Sequence, residues 1–222
     1  PPHVRRIDYA AADGQPLFAL ILEPDVAPRG VLLAFHGNAD LAVWQVPWAR
    51  EVARQTGWCV VLAEYRGYGG LSGVPSYVGV RDDACAAWSA AQRVADDLEL
   101  RAAPFALFGH SLGSAVAIEL AAEIADASSC TDTDKLTPGD RIAAVVLQSP
   151  FTSARDMARI VSNRPVQVVW RVIARVHYDT RTCLERIDTP ISIAHGALDW
   201  LVPIGMGREL FARARRPGHL LV

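Results

Sequence analysis

The stretch that decides the fold is Phe105-Ala106-Leu107-Phe108-Gly109-His110-Ser111-Leu112-Gly113-Ser114-Ala115-Val116-Ala117-Ile118. Its first four residues are apolar without polar alternation, the pattern of a strand covered on both faces. The small-residue run from Ser114 reads as a helix. Between them lies a G-x-S-x-G sequence, where strand must become helix within a few residues. A turn that tight strains the serine backbone and leaves no room for side chains at the flanking glycines. It lifts the Ser111 hydroxyl above the sheet and aims the following helix N-terminus at the reacting oxygen, which favours an oxyanion there. In this reading Ser111 is a nucleophile and the Leu112 N–H is one oxyanion donor. The alternative is a tight turn with an incidental serine.

Outward from this point, short apolar runs alternate with helical patterns. Val4 to Tyr9 and Pro16 to Leu22 flank Asp13-Gly14, a hairpin signal. Val31–Phe35, Cys59–Ala63, Ala143–Leu147 and Ile191–Ala194 read as buried parallel strands, and Leu41–Gln55, Val80–Ala95, Leu112–Ala125 and Ile204–Arg215 as helices. The alternation predicts a single α/β domain over residues 1–222: a mostly parallel central sheet with helices on both faces and an N-terminal antiparallel hairpin. Ser128–Asp140 reads as a polar surface loop. Residues 152–182 exceed a simple crossover and carry a helical pattern around Val166–Val176, so they are expected to form a small helical cap.

Three further motifs follow strands. Phe35-His36-Gly37-Asn38-Ala39 places an HG turn after Val31–Phe35, and the Asn38 N–H is the expected second oxyanion donor. His36 reads as a residue that shapes this loop. Glu64-Tyr65-Arg66-Gly67-Tyr68-Gly69-Gly70 is, taken alone, a glycine-rich turn. It has neither the lysine of a phosphate loop nor dinucleotide-binding spacing. His195-Gly196-Ala197-Leu198-Asp199 puts Asp199 just past a strand end, where the acid of a Ser-His-Asp triad belongs. The alternative for Asp199 is a helix or loop cap. Asp156 is the competing acid.

The chain has 222 residues, 51% hydrophobic and 21% charged, with net charge −2. That composition excludes disorder and leaves no basic footprint for nucleic acid. The cysteines Cys59, Cys85, Cys130 and Cys183 show no CxxC pair or metal-ligand rhythm, so free thiols and no metal are expected. No apolar run approaches the roughly 20 residues of a membrane helix. Cytoplasmic location is the default expectation. The chain opens at Pro1 without a methionine, which leaves an upstream signal or membrane anchor as an open alternative.

Together the HGNA, EYRGYG and GHSLG motifs resemble the α/β-hydrolase superfamily, from about Leu17 onward. Within it the chain is similar to small serine hydrolases related to depalmitoylating and monoacylglycerol-lipase-like enzymes. The resemblance implies Ser111 as nucleophile, Asp199 as acid, the Asn38 and Leu112 amides as oxyanion hole, and neither cofactor nor metal. Leu71 departs from it, since relatives often carry serine there. The implied activity is hydrolysis of a small-molecule acyl ester or thioester through an acyl-enzyme. A serine peptidase and a non-catalytic binding protein are the alternatives.

A serine hydrolase needs a general base. Of the six histidines, only His219 follows Asp199, in the chain order this chemistry uses on this fold. Pro217-Gly218-His219-Leu220-Leu221-Val222 reads as a turn and then a strand, which puts His219 a strand's length below Ser111. The expectation is therefore a chain truncated before its catalytic histidine, which would lie beyond Val222. The rival is His219 as base with no last strand. Trp44, Trp48, Trp170, Tyr178 and His177 are candidates to wall an apolar acyl pocket; ordinary packing is the alternative for each.

Overall fold

The computed structural model describes residues 4–100, 103–126, 130, 142–161 and 178–222. Eight strands form one sheet: β1 (Val4–Ala10), β2 (Pro16–Leu22), β3 (Val31–Phe35), β4 (Cys59–Ala63), β5 (Phe105–His110), β6 (Ile142–Gln148), β7 (Ile191–Ala194) and β8 (Pro217–Leu221). The strand order is β1-β2-β4-β3-β5-β6-β7-β8. β1 and β2 form an antiparallel hairpin and β2 runs antiparallel to β4, while β4, β3, β5, β6, β7 and β8 are parallel. β3 and β4 are buried at every position, as strands covered on both faces must be.

Among the described residues six helices connect them: α1 (Val46–Thr56), α2 (Tyr77–Asp97), α3 (Leu112–Ala125), α4 (Ala154–Val161), α5 (Thr180–Leu184) and α6 (Ile204–Arg213). One face of the sheet packs on α2 and α3, with Trp88, Ile118 and Leu120 in its core. The other packs on α1, through Ala49 and Ala53. This is the expected architecture: a mostly parallel sheet, helices on both faces, and a leading hairpin. Among the described residues the cover on the α1 side ends near β5, and Ala144 and Val146 of β6 are partly exposed.

The helix read over Leu41–Gln55 divides into a 3-10 turn at Ala42–Gln45 and then α1. Pro47 is the reason. It lacks an N–H and fits only the first turn of a regular helix, so the helix starts there. α3 is buried from Gly113 to Glu123, which explains its small side chains. The cap stretch contains α4 and α5. The helical pattern around Val166–Val176 lies outside the described residues, as does the loop read over 128–140 apart from Cys130.

The cysteine expectation is corrected. Cys85 on α2 and Cys130 beyond α3 form a disulfide, with Cα atoms 4.9 Å apart, whereas Cys59 and Cys183 are free. A separation of 45 residues hides the pair in the sequence. Only the packing of α2 on α3 brings the two together.

Candidate active site

The parallel strands end level with one another. His110 of β5 pairs with Gln148 of β6, Gln148 with Ala194 of β7, and Ala194 with Leu221 of β8. The next residue of each strand bonds across to its neighbour. Ser111 N–H donates to the Gln148 carbonyl, Ser149 N–H to Ala194 and His195 N–H to Leu221, each at 2.9 Å. The residues that follow β3, β4, β5, β6 and β7 thus stand on one rim, the carboxyl end of the sheet, where ligands of open α/β sheets bind.

Ser111 sits at the centre of this rim with φ 51° and ψ −111°, a non-glycine residue outside its normal backbone range. Its glycines explain how the turn closes. A Cβ on Gly109 would lie 2.2 Å from the Gly113 carbonyl oxygen, and one on Gly113 would lie 2.1 Å from the Phe35 oxygen. The first contact closes the turn itself; the second brings α3 against the end of β3. The Ser111 carbonyl accepts the Ser114 N–H at 3.0 Å and the Ser114 hydroxyl as well. Ser111 and Leu112 are partly exposed. As a first-turn amide of α3, the Leu112 N–H has no intrahelical acceptor.

The Phe35–Ala39 turn packs against this elbow, and Glu64 holds its base. Glu64 Oε1 lies 2.6 Å from His36 Nε2 and accepts the Tyr65 N–H, while Oε2 accepts the Ala42 N–H. His36 Nδ1 contacts the Gly37 carbonyl at 2.8 Å, and the Tyr65 hydroxyl donates to the His36 carbonyl. The His36 and Glu64 side chains are 1% and 0% exposed, so the pair is sealed from water. Sequence reading leaves Glu64 without a role. The signal was its place directly after a buried strand, in the same register as His36 after β3.

Asp199 lies beyond β7 and accepts the Leu201 and Val202 amides at 3.0 and 2.9 Å. Burial works against its charge, but these amides and the Ser149 hydroxyl hold its carboxyl below the usual range. Ser149, a second non-glycine residue at positive φ (48°), is another position missed from the sequence. Its strained backbone points its hydroxyl at Asp199. The other acid, Asp156, is engaged elsewhere. It accepts from Thr152 and Ser153 and pairs with Arg181 at 2.6 Å.

Four histidines lie among the described residues. Both His36 nitrogens are occupied by Glu64 and Gly37. His195 Nε2 is 2.8 Å from the Val202 carbonyl, and its Nδ1 packs where a side chain on Gly207 would stand. His110 turns toward the Phe35–Ala39 turn, with Nδ1 4.0 Å from Asp40; burial lowers its pKa against the pull of Asp40 and Asp199. His219 lies within β8, where its N–H donates to Ser192. Strand spacing and rise put it about 14 Å across the sheet and about 10 Å below the level of Ser111. β8 is therefore present, and the alternative that dispensed with a last strand is corrected. His3 and His177 lie outside the described residues.

Of the aromatic candidates, Trp44 is 62% exposed. Trp48 stacks on Phe108 with centroids 4.4 Å apart. It borders a cavity of about 10 Å³ with His36, Gln45 and His110, room for about one water. Trp170 lies outside the described residues. Among those residues, one group has metal-ligand chemistry: Cys85, Glu123 and Cys130, with ligand atoms within 4.8 Å. It sits at the far end of α3 from Ser111, and its two sulfurs are joined to each other. No helix among the described residues is long and apolar enough to cross a membrane.

A family model described as serine aminopeptidase, S33, matches residues 26–182. That span holds the elbow, the HGNA turn and the strands that carry them. The chain belongs to this S33 family of α/β-hydrolases. Among its relatives, an uncharacterized protein of Mycobacterium tuberculosis is 34% identical over 171 residues, covering 75% of this chain and 51% of the relative. The lysophosphatidylserine lipase ABHD12 of Danio rerio is 28% identical over 209 residues, covering 86% of this chain and 48% of the relative. This S33 chain thus spans about half the length of the curated relatives it matches. Its fold is shared by an esterase of Pyrococcus furiosus, at TM-score 0.74 and 16% identity over 99% of this chain and 81% of the esterase. A bacterial heroin esterase superposes at TM-score 0.72 and 19% identity, over 99% of this chain and 74% of that one.

Proposed function

We propose that this S33-family chain is a serine hydrolase that cleaves carboxylic esters or thioesters through an acyl-enzyme on Ser111. The observation that carries the reading is the elbow: a serine held at φ 51° on the rim of the sheet, at the N-terminus of α3, with the Phe35–Ala39 turn packed against it. Ser111 Oγ attacks the substrate carbonyl, and its proton passes to a general base. The oxygen that gains charge is held by the Asn38 and Leu112 N–H groups, helped by the α3 dipole. Collapse expels the alcohol or thiol, and water clears the acyl group by the same steps. Asp199 orients the base and supports its positive charge. Its depressed carboxyl keeps it ionised for that task.

The base in this reading is a histidine outside the described residues. Leu221 pairs with Ala194, so in this reading a residue following β8 would enter on the Asp199 side of the rim. Trp44 and Trp48, flanking the oxyanion turn, are assigned to the acyl side. The ABHD12 and esterase resemblances support an ester; the S33 description favours an amide, the second reading.

The deciding experiment is turnover of short p-nitrophenyl esters, thioesters and amino-acyl p-nitroanilides, with Ser111→Ala beside the parent. It is run on the 222-residue chain and on the chain carrying its natural C-terminal continuation. Ester or thioester turnover that vanishes in Ser111→Ala is expected, with the continuation required. Faster anilide turnover replaces the esterase reading with the peptidase one. Activity in the 222-residue chain that His219→Ala abolishes removes the assignment of the base. A folded, extended chain that turns over none of these is a binding protein on this fold.

A further inference from the structure

The Glu64–Gly70 turn does more than carry Glu64. Tyr68, four residues on, reaches the tip of the oxyanion turn: its hydroxyl donates to Asn38 Oδ1 at 2.6 Å. Its ring is fixed edge-on to His36 and Tyr65, with centroids 5.6 and 5.9 Å away. Ala39 needs such a hold. It is an exposed non-glycine residue at φ 56°, a conformation that persists only where the surroundings over-determine it. The Tyr68 hydroxyl therefore pins Asn38, the residue before Ala39, while Glu64 pins the base of the turn.

We propose that Tyr68 is a positioning residue, which locks the Gly37–Ala39 turn so that the Asn38 N–H faces the oxygen that gains charge at Ser111. The role rests on the reading of Ser111 as nucleophile. Tyr68 acts through Asn38, since its proton is committed to Asn38 Oδ1. The Asn38 side chain is then the turn's anchor and its backbone N–H the donor. A preorganised donor is effective because it does not have to reorient as charge develops, and small misplacements are heavily penalised.

The test is Tyr68→Phe, which removes one oxygen and keeps the ring packing. Two readouts are made on the folded chain: NMR order parameters of the Asn38 and Ala39 backbone amides, and affinity for an alkyl boronic acid, which forms a tetrahedral adduct on an active serine. The expected result is a drop of the order parameters from the rigid range of about 0.85 toward about 0.6, a melting midpoint within a few degrees of the parent, and adduct affinity down by about tenfold. That fall is smaller than the 10²–10³ seen when an oxyanion donor is lost outright. Asn38→Ala, which keeps the backbone N–H, should reproduce the effect and add little to Tyr68→Phe. Unchanged order parameters overturn the proposal, as do lowered order parameters with unchanged adduct affinity. If the parent forms no adduct while the order parameters respond, the nucleophile reading fails and Tyr68 is left as a brace of the turn alone. On an extended chain with turnover, Tyr68→Phe lowers kcat and leaves KM in place.

Discussion

Three of the four non-glycine residues at positive φ among the described residues, Ala39, Ser111 and Ser149, follow β3, β5 and β6 on the same rim. Backbone strain of this kind survives where its surroundings over-determine it, and it clusters where function uses it. Gly113 is the residue on which two of the three depend. A methyl group there meets the Phe35 and His36 carbonyls at 2.1 and 2.7 Å, both backbone atoms that cannot swing away. Gly113→Ala is therefore expected to destabilise the protein by about 3 kcal/mol, the upper end of overpacking. It should also push the Phe35–Ala39 turn off Ser111. Gly205, on α6 with open space around it, is the control. Gly205→Ala should stabilise by about 0.5–1 kcal/mol through helix propensity. Denaturant midpoints of the two variants check both values.

Among the elements, the connection from β4 to α2 carries more than its glycines suggest. Arg66 is buried against Asp83 of α2, with Nη2 2.7 Å from Oδ1, and its Nη1 reaches Asp13 in the β1–β2 turn at 2.7 Å. The Arg66 N–H also donates to Asp83, at 2.9 Å. One side chain thus ties the hairpin, the connection and α2, and fixes the segment on which Glu64 and Tyr68 stand. Asp83 is 1% exposed, so removing it leaves Arg66 buried with only its outer partner. Asp83→Ala is expected to destabilise by about 3 kcal/mol, the lower end for breaking a buried pair. Urea titration reads the loss.

Across the whole molecule, Arg181 of α5 joins Asp156 of α4 to Glu209 of α6, both at 2.6 Å. This clasp holds the described ends of the cap stretch to the body of the sheet. Burial opposes the charge on Asp156, but bonds from Ser153, Arg181 and Thr152 hold its carboxyl down to about 2. A folded-state pKa below the unfolded one adds stability that is present above about pH 4 and disappears as pH falls toward about 2. Stability measured from pH 6 to pH 2 should therefore drop along this limb by on the order of 2 kcal/mol more in the parent than in Asp156→Asn. A parent and variant with parallel curves would remove Asp156 from the acid response.

The alternation of apolar runs with helical patterns determined the architecture, because strand burial and helix amphipathicity are local properties of residue type and order. Gly109-His110-Ser111-Leu112-Gly113 determined the elbow for the same reason: only glycine fits where an added Cβ would lie about 2.2 Å from a backbone atom. The division of Leu41–Gln55 was written in Pro47 and is recoverable from the sequence once that residue's missing N–H is weighed. Asp199 was placed at a strand end by its spacing, but its partner Ser149 comes from the neighbouring strand. Glu64 under His36, Tyr68 on Asn38, Arg66 on Asp83, and Cys85 joined to Cys130 were decided by tertiary structure alone. Each joins residues at least 17 positions apart, across neighbouring strands or packed helices. Sequence order carries the period of an element and the chemistry of a turn. Which turns meet is set by the order of strands in the sheet, and that order exists only once the long-range pairing has formed.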